Sequence, residues 1–301
     1  MTRNKNKKAT PLPVREGISP NHVWLPVGNW ATMLEFLAER FPGISETVWR
    51  ERMARGNVAD EQGTMIDLQS PYRAGARLYY YRELESETVI PFEETIIFQN
   101  EHILVADKPH FLPVAPSGRF LKETLLARLK RKLCIDHLVP LHRLDRETAG
   151  LVIFSKNILT RDLYHALFRE RRICKTYEAL ARFDGERSYP FIYRSRLAEA
   201  EEFYRRREIP GEPNSETHID IIELRGESAL YKLNPVTGKT HQLRVHMAAL
   251  GMPIVNDVCY PVLRNWKGDD FSNPLQLLAK SLDFADPVSG EACRFVSARK
   301  L

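Results

Sequence analysis

The chain has 301 residues, 43% of them hydrophobic and 28% charged, with a formal net charge of +5. This is the balance of a soluble globular protein with a sizeable core, built as two domains or as one large domain with an attachment, and it excludes wholesale disorder. No apolar run approaches the roughly 20 residues that span a bilayer, and nothing apolar follows the basic start MTRNKNKKATPLPVREG to make a secretory signal.

Residues 1–20 are expected to form a basic flexible tail. Arg3, Lys5, Lys7 and Lys8 have no acidic neighbours there, and Pro11, Pro13 and Pro20 discourage regular structure. Residues 21–93 predict a small α+β module. Thr32 to Phe41 has helical spacing, with Leu34, Leu37 and Phe41 on one face and Gly43 beyond its end. A second helix, Thr47 to Arg55, stops at Gly56, and a strand over Arg77 to Tyr81 follows turn residues Pro71 to Gly75. Pro91 marks the junction.

Residues 94–301 alternate strand and helix signals without a regular βαβ rhythm. Thr95 to Phe98 and Ile103 to Ala106 read as strands about a turn at Asn100-Glu101, and Lys122 to Leu133 as a basic amphipathic helix. Leu151 to Phe154 is a short buried strand and Leu159 to Glu170 a helix. Strands are then expected over Ile173 to Ala181, Glu216 to Leu224 and Ala229 to Leu233, and a helix over Thr240 to Leu250 with Gly251 as its stop. Leu275 to Phe284 and Cys293 to Val296 make a closing pair through the turn-rich Asp286 to Gly290. Many of these strands follow one another as hairpins. The fold class is therefore α+β, a mixed, mainly antiparallel sheet with flanking helices.

Charge is unevenly spread. Ser117 to Arg182 holds fifteen Lys/Arg against seven Asp/Glu, a local net of +8 that exceeds the excess of the whole chain. Such concentration is the footprint of a phosphate-backbone binder, or equally of a solvated face. Cys134, Cys174, Cys259 and Cys293 are widely spaced with no C-x-x-C pair, against a zinc ribbon or disulfide framework. Reduced thiols in a cytoplasmic protein are expected. Dinucleotide, Walker, zincin and serine-hydrolase motifs are all missing. His241 and His246, five apart on an expected helix, point to different faces and make poor joint metal ligands.

The densest cluster of functional residue types is Pro140 to Leu151, P-L-H-R-L-D-R-E-T-A-G-L, a loop delivered into an apolar strand. Asp145 sits between Arg143 and Arg146, and a nearby guanidinium favours an ionised carboxylate, suited to a nucleophile or electrostatic stabiliser. Taken alone, this arrangement reads first as a structural ion pair fixing the loop and only second as a catalytic carboxylate.

His142 to Leu151, H-R-L-D-R-E-T-A-G-L, resembles the catalytic motif of the RluA-type pseudouridine synthases, and further pieces follow in that family's order. Leu104 to Pro109 is similar to its strand ending in Lys-Pro, and Arg172 to Ala179 to its K-x-Y-x-A strand. Thr237 to His246 resembles its T-G-K-T-H-Q-L-R-V-H helix start, followed by Gly251 to Asp257. Leu277 to Ala279 with Asp286 to Glu291 resembles its closing strand pair, so the likeness covers roughly residues 95–298. Ala149 stands where the family usually has Ser, Met252 where it has His, Asn256 and Pro261 where Gly is common, and Leu278 where His is common. These departures indicate a side branch. Residues 21–93 occupy the place of a small RNA-binding module and resemble it in a degraded form.

The resemblance implies isomerisation of uridine to pseudouridine in ribosomal or transfer RNA. The uracil leaves the ribose, turns and rejoins through carbon 5, with no water consumed and no cofactor or metal required. It implies Asp145 as the carboxylate acting at the ribose, Arg244 paired with it, and Tyr177 packed on the base and available as a base toward the sugar. Leu277 becomes an apolar wall and Arg143 the residue filling the gap left by the extruded nucleotide. Arg146, Arg128, Lys130, Arg131, Lys132, Arg169, Arg171 and Arg172 are expected to meet RNA. A monomer with a structured RNA as partner, and no membrane, completes the expectation. The rival classes are a catalytically silent RNA-binding protein on the same fold and a base-excising glycosidase, which usually needs a second carboxylate.

Overall fold

A computed structural model describes residues 10–202, 204–264 and 270–301. Arg3, Lys5, Lys7 and Lys8 of the expected tail lie outside the described residues. The chain divides into two compact units, one up to Glu87 and one from Thr88 to Leu301.

The first unit contains β1 (Asn21–Trp24), α1 (Met33–Arg40), α2 (Glu46–Ala54), β2 (Val58–Asp60) and β3 (Arg77–Tyr80). The strands form an antiparallel sheet in the order β1-β3-β2. α1 starts where Thr32 accepts the Glu35 N–H and the Glu35 carboxylate accepts the Ala31 N–H, a near-reciprocal cap. Both helices bury their apolar stripe, with Phe36, Leu37 and Trp49 fully covered beside Leu78. Burial of one such side chain is worth about 2 kcal/mol. Residues 10–20 differ from the expected tail. Leu12 is buried beside Ala59 and Tyr81, Pro13 accepts the Tyr81 hydroxyl, and Arg15 lies over the Tyr81 ring.

The second unit runs β4 (Thr95–Gln99), β5 (Ile103–Lys108), α3 (Leu125–Leu133), β6 (Val139–Pro140), β7 (Ala149–Ser155), α4 (Arg161–Arg169) and β8 (Cys174–Arg182). It continues with β9 (Phe191–Glu199), β10 (Arg206–Ile209), β11 (Ser215–Arg225), β12 (Ser228–Pro235), α5 (Gln242–Ala249), β13 (Leu277–Ala285) and β14 (Ala292–Val296). The strands make one sheet in the order β10-β9-β11-β12-β8-β13-β7-β5-β4, with β14 beside β13 and β6 beside β7. β13–β7 is parallel, and every other described pairing in the sheet is antiparallel. This is the expected mixed α+β fold. Among the described residues no helix is long and apolar enough to cross a membrane.

The middle of the sheet is covered on both faces, which is why β5 and β7 are apolar without interruption. Leu104, Ala106, Val152 and Phe154 face α3 through Leu125 and Leu129. Their alternates Ile103, Val105, Leu151 and Ile153 face α4 through Tyr164 and Leu167. Further along, Ala179, Ile219, Tyr231 and Leu233 pack with Leu243 and Met247 of α5. The sequence does not anticipate β9 and β10. Arginines 194, 196, 206 and 207 break their apolar alternation, because this side of the sheet is largely exposed.

Gly150 fixes how closely β7 approaches β13. Its φ is +112°, and a Cβ there would lie 2.3 Å from the Ala279 carbonyl oxygen. Only glycine permits this contact. It brings the loop preceding β7 beside Leu277 at the start of β13, across a register that pairs Ala149 with Leu278.

Candidate active site

The loop between β6 and β7 is held from inside the protein. Leu141 donates its N–H to Ile153, and His142 Nε2 accepts the Ile153 N–H at 3.1 Å while the imidazole stacks on Phe168. Burial, then the charge of Lys175, lowers the His142 pKa to about 3, so the ring is neutral and free to accept. From the end of β5, the buried Lys108 donates to the carbonyls of Pro109, Leu112 and Arg146 at 2.8–3.0 Å. Burial lowers its pKa to about 7, against the pull of Glu147 and Asp145. Thr148 donates its N–H to the Asp145 carbonyl and closes the turn.

Asp145 is thereby presented at a cavity of about 430 Å³ lined also by Tyr177, Leu277, Arg244, His241 and Arg143. Its Oδ2 lies 3.4 Å from Arg244 NH1 and 3.6 Å from His241 Nε2, with the side chain 19% exposed. Arg244 projects from α5 and is fully buried. Its Nε and NH2 donate to the two oxygens of Asp257 at 2.8 and 2.7 Å, leaving NH1 for Asp145. Burial disfavours the guanidinium charge, but the hydrogen bonds and charge of Asp257, then the charge of Asp145, outweigh it and hold the pKa well above the usual value. Asp257 is itself fixed by the N–H groups of Cys259 and Tyr260.

His241 caps α5 in a left-handed conformation (φ 56°), which swings its ring away from the helix. Nδ1 bonds the Tyr260 hydroxyl at 2.9 Å and Nε2 turns to Asp145. His246 is buried elsewhere among Ser195, Ser215 and Thr217, so the two histidines do face apart. Tyr177, on β8 opposite Leu233 and Ala279, has its phenol pKa raised by burial and then by Asp145. Burial and the neighbouring carboxylate both favour the protonated phenol, and the ring lines the cavity beside Leu277.

The basic residues separate into three sets. Arg143 and Arg171, both expected to meet RNA, line the cavity. Arg143 is exposed and has no side-chain partner among the described residues. Others are committed to the protein. Arg146 donates to the Phe111 carbonyl, meets Glu147 at 3.4 Å and covers the Phe120 ring. Arg128 is tied to Glu123, Glu94 and the carbonyls of Ile90 and Phe92, and Lys130 is 4% exposed. These three are structural cations, since a buried or internally paired charge has nothing left for a phosphate. Arg131, Lys132, Arg169 and Arg172 are on the surface outside the cavity, with Arg169 and Arg172 both on Glu170. Residues to which sequence alone assigns no role also line or brace the site: His241, Lys175 and Lys239 line the cavity, and Asp257 clamps Arg244. All four lie inside the motifs that carry the family resemblance, which is the one signal in the sequence that marks them.

The RNA pseudouridylate synthase family profile matches residues 102–249. An uncharacterized RNA pseudouridine synthase of Synechocystis is 29% identical over 243 residues, which cover 76% of this chain and 79% of that one. The dual-specificity RNA pseudouridine synthase RluA of Haemophilus influenzae is 31% identical over 203 residues, 66% of this chain and 90% of the relative. In fold, the chain is similar to human RNA pseudouridylate synthase domain containing 1, with a TM-score of 0.56 at 24% identity over 69% of this chain and 84% of that structure. Sequence and fold thus agree, and the chain belongs to the RluA-type family of RNA pseudouridine synthases, which are isomerases.

Proposed function

We propose that this isomerase converts uridine to pseudouridine in ribosomal or transfer RNA with Asp145 as its catalytic carboxylate. The observation that carries this reading is the pairing of Asp145 with Arg244 in a cavity whose lining includes Tyr177 and Leu277. A carboxylate steadied by one buried cation is poised for charge that develops on a sugar.

In this reading the target nucleotide leaves the stack, at a cost of a few kcal/mol, and its uracil lies between the Tyr177 ring and Leu277. Asp145 acts at the anomeric carbon, as nucleophile or as stabiliser of the cationic sugar. Arg244, clamped by Asp257, keeps the carboxylate aimed while the base turns and rejoins through carbon 5. The isomerisation consumes no water. Arg143 fills the gap left in the RNA. Arg131, Arg171 and Arg172 add salt-sensitive attraction to the backbone. Residues 21–93 serve as an RNA-binding module to a catalytic domain over 94–301. The enzyme acts as a cytoplasmic monomer, and the four unpaired cysteines support a reducing compartment.

The test maps pseudouridine in RNA from cells lacking the gene, complemented with wild type or with Asp145→Asn. One or more sites should vanish on deletion, return with wild type and stay absent with the variant. Deletion without loss of any site defeats the reading; the sites that do vanish identify the RNA.

A further inference from the structure

The cavity lining includes two cations, Lys175 and Arg171, that the chemistry at Asp145 leaves unused. Residues two apart on a strand share a face, so Lys175 of β8 joins Tyr177 in the cavity lining. Arg171 reaches the same lining from the turn after α4, where its φ of 57° diverts the chain.

Among the described residues neither cation is paired with a carboxylate. Lys175 is half-buried, and its hydrogen bond to the Thr237 carbonyl is 3.5 Å long, at the limit for such a contact. A Cβ on Gly238 would stand 3.6 Å from the Lys175 nitrogen, so glycine there keeps that side of the ammonium open. Burial and then Arg171 lower the Lys175 pKa, and no carboxylate among the described residues offsets them. Glu170, next to Arg171 in sequence, is occupied by Arg169 and Arg172. The contrast with the other buried cations is plain, because Lys108 has three carbonyls and Arg128 two carboxylates. Two neighbouring cations in a partly desolvated cavity repel each other, and a bridging anion converts that cost into charge-assisted hydrogen bonds.

We propose that Lys175 and Arg171 form a phosphate subsite that grips one backbone phosphate flanking the target uridine. The inference rests on the function proposed above and gives it a mechanical part. A reaction in which the base detaches and turns needs the ribose to stay still, and a held phosphate anchors it.

The test compares binding of uridine, uridine 5′-monophosphate and uridine 3′-monophosphate to the full chain by NMR titration. One monophosphate should bind on the order of tenfold more tightly than uridine, which also says which side of the nucleotide is held. The gain should disappear in Lys175→Met, shrink in Arg171→Gln and survive in part in Lys175→Arg. Arg171 is exposed, so its variant reports even where Lys175→Met folds poorly. No gain in wild type, or a gain that persists in both Lys175→Met and Arg171→Gln, overturns the subsite. Conversion of uridine in RNA is measured separately on the same preparations. Turnover without the phosphate gain removes the subsite alone, and a phosphate gain without turnover removes the catalytic reading alone.

Discussion

Arg244 divides its guanidinium between two carboxylates, holding Asp257 with two nitrogens at 2.8 and 2.7 Å and Asp145 with the third at 3.4 Å. The shorter pair sets the direction of the longer one. Asp257→Asn should keep the shape but weaken the clamp, lowering kcat by roughly 10–100-fold with little change in KM, the pattern of a positioning residue. Asp257→Ala leaves a buried arginine short of its partner and should destabilise the fold by about 3–5 kcal/mol. Steady-state kinetics and urea unfolding separate the two effects. Unchanged kcat in Asp257→Asn would remove the positioning role.

That relationship also shows where sequence reading runs out. The motif around Asp145 is legible because its residue types are dense and consecutive, and β5 and β7 are legible because burial on both faces makes them wholly apolar. Adjacency in sequence nevertheless suggests Arg143 and Arg146 as the partners of Asp145. The turn sends Arg146 to Phe111, and the partner instead arrives on α5, 99 positions away, a pairing that the family resemblance implies and local spacing does not. Charge counting fails for a similar reason. Lys130 sits in a basic run, yet the packing of α3 turns it into the protein, a direction the composition does not carry.

Gly150 is the residue on which the approach of β7 to β13 depends. Gly150→Ala combines a backbone angle of +112° with a 2.3 Å clash against backbone, neither of which side-chain motion relieves. The expected loss is at least about 2 kcal/mol of stability, with activity falling as Asp145 and Leu277 move apart. Gly75→Ala is the control, since its φ of +78° is also left-handed but nothing lies within 4 Å. Equal melting temperatures for the two variants would refute the close-approach argument.

Three histidines, His246 buried and His110 and His142 half-buried, make the protein acid-sensitive. Burial is the leading cause in each, taking His110 and His246 to about 4 and His142 to about 3. These folded values lie below the unfolded one, so below about pH 6.5 the unfolded chain takes up protons that the folded chain refuses. Stability is therefore fully present above that pH and falls as pH drops, by on the order of 1 kcal/mol per pH unit for each histidine. Urea unfolding at pH 7, 6 and 5 measures the slope, and His110→Gln should reduce it by about one proton. A flat profile between pH 7 and 5 would contradict these assignments.

Lys108 gives a dependence of the same sign in an alkaline window. Its folded pKa of about 7, set chiefly by burial, is far below the 10.5 of an ordinary lysine. Between those values the unfolded chain carries a proton that the folded chain lacks, so this residue's contribution to stability rises with pH across the window. Relative to Lys108→Met, wild type should gain on the order of 1 kcal/mol per unit between pH 7.5 and 9.5. The comparison between the two proteins cancels the titration of other groups. At pH 7 the variant should also lose activity, because the carbonyls of Pro109, Leu112 and Arg146 lose the donor that holds the Asp145 loop in place. A wild-type advantage that does not change with pH would mean that Lys108 stays charged throughout, and the three carbonyls alone would then account for its place beneath the loop.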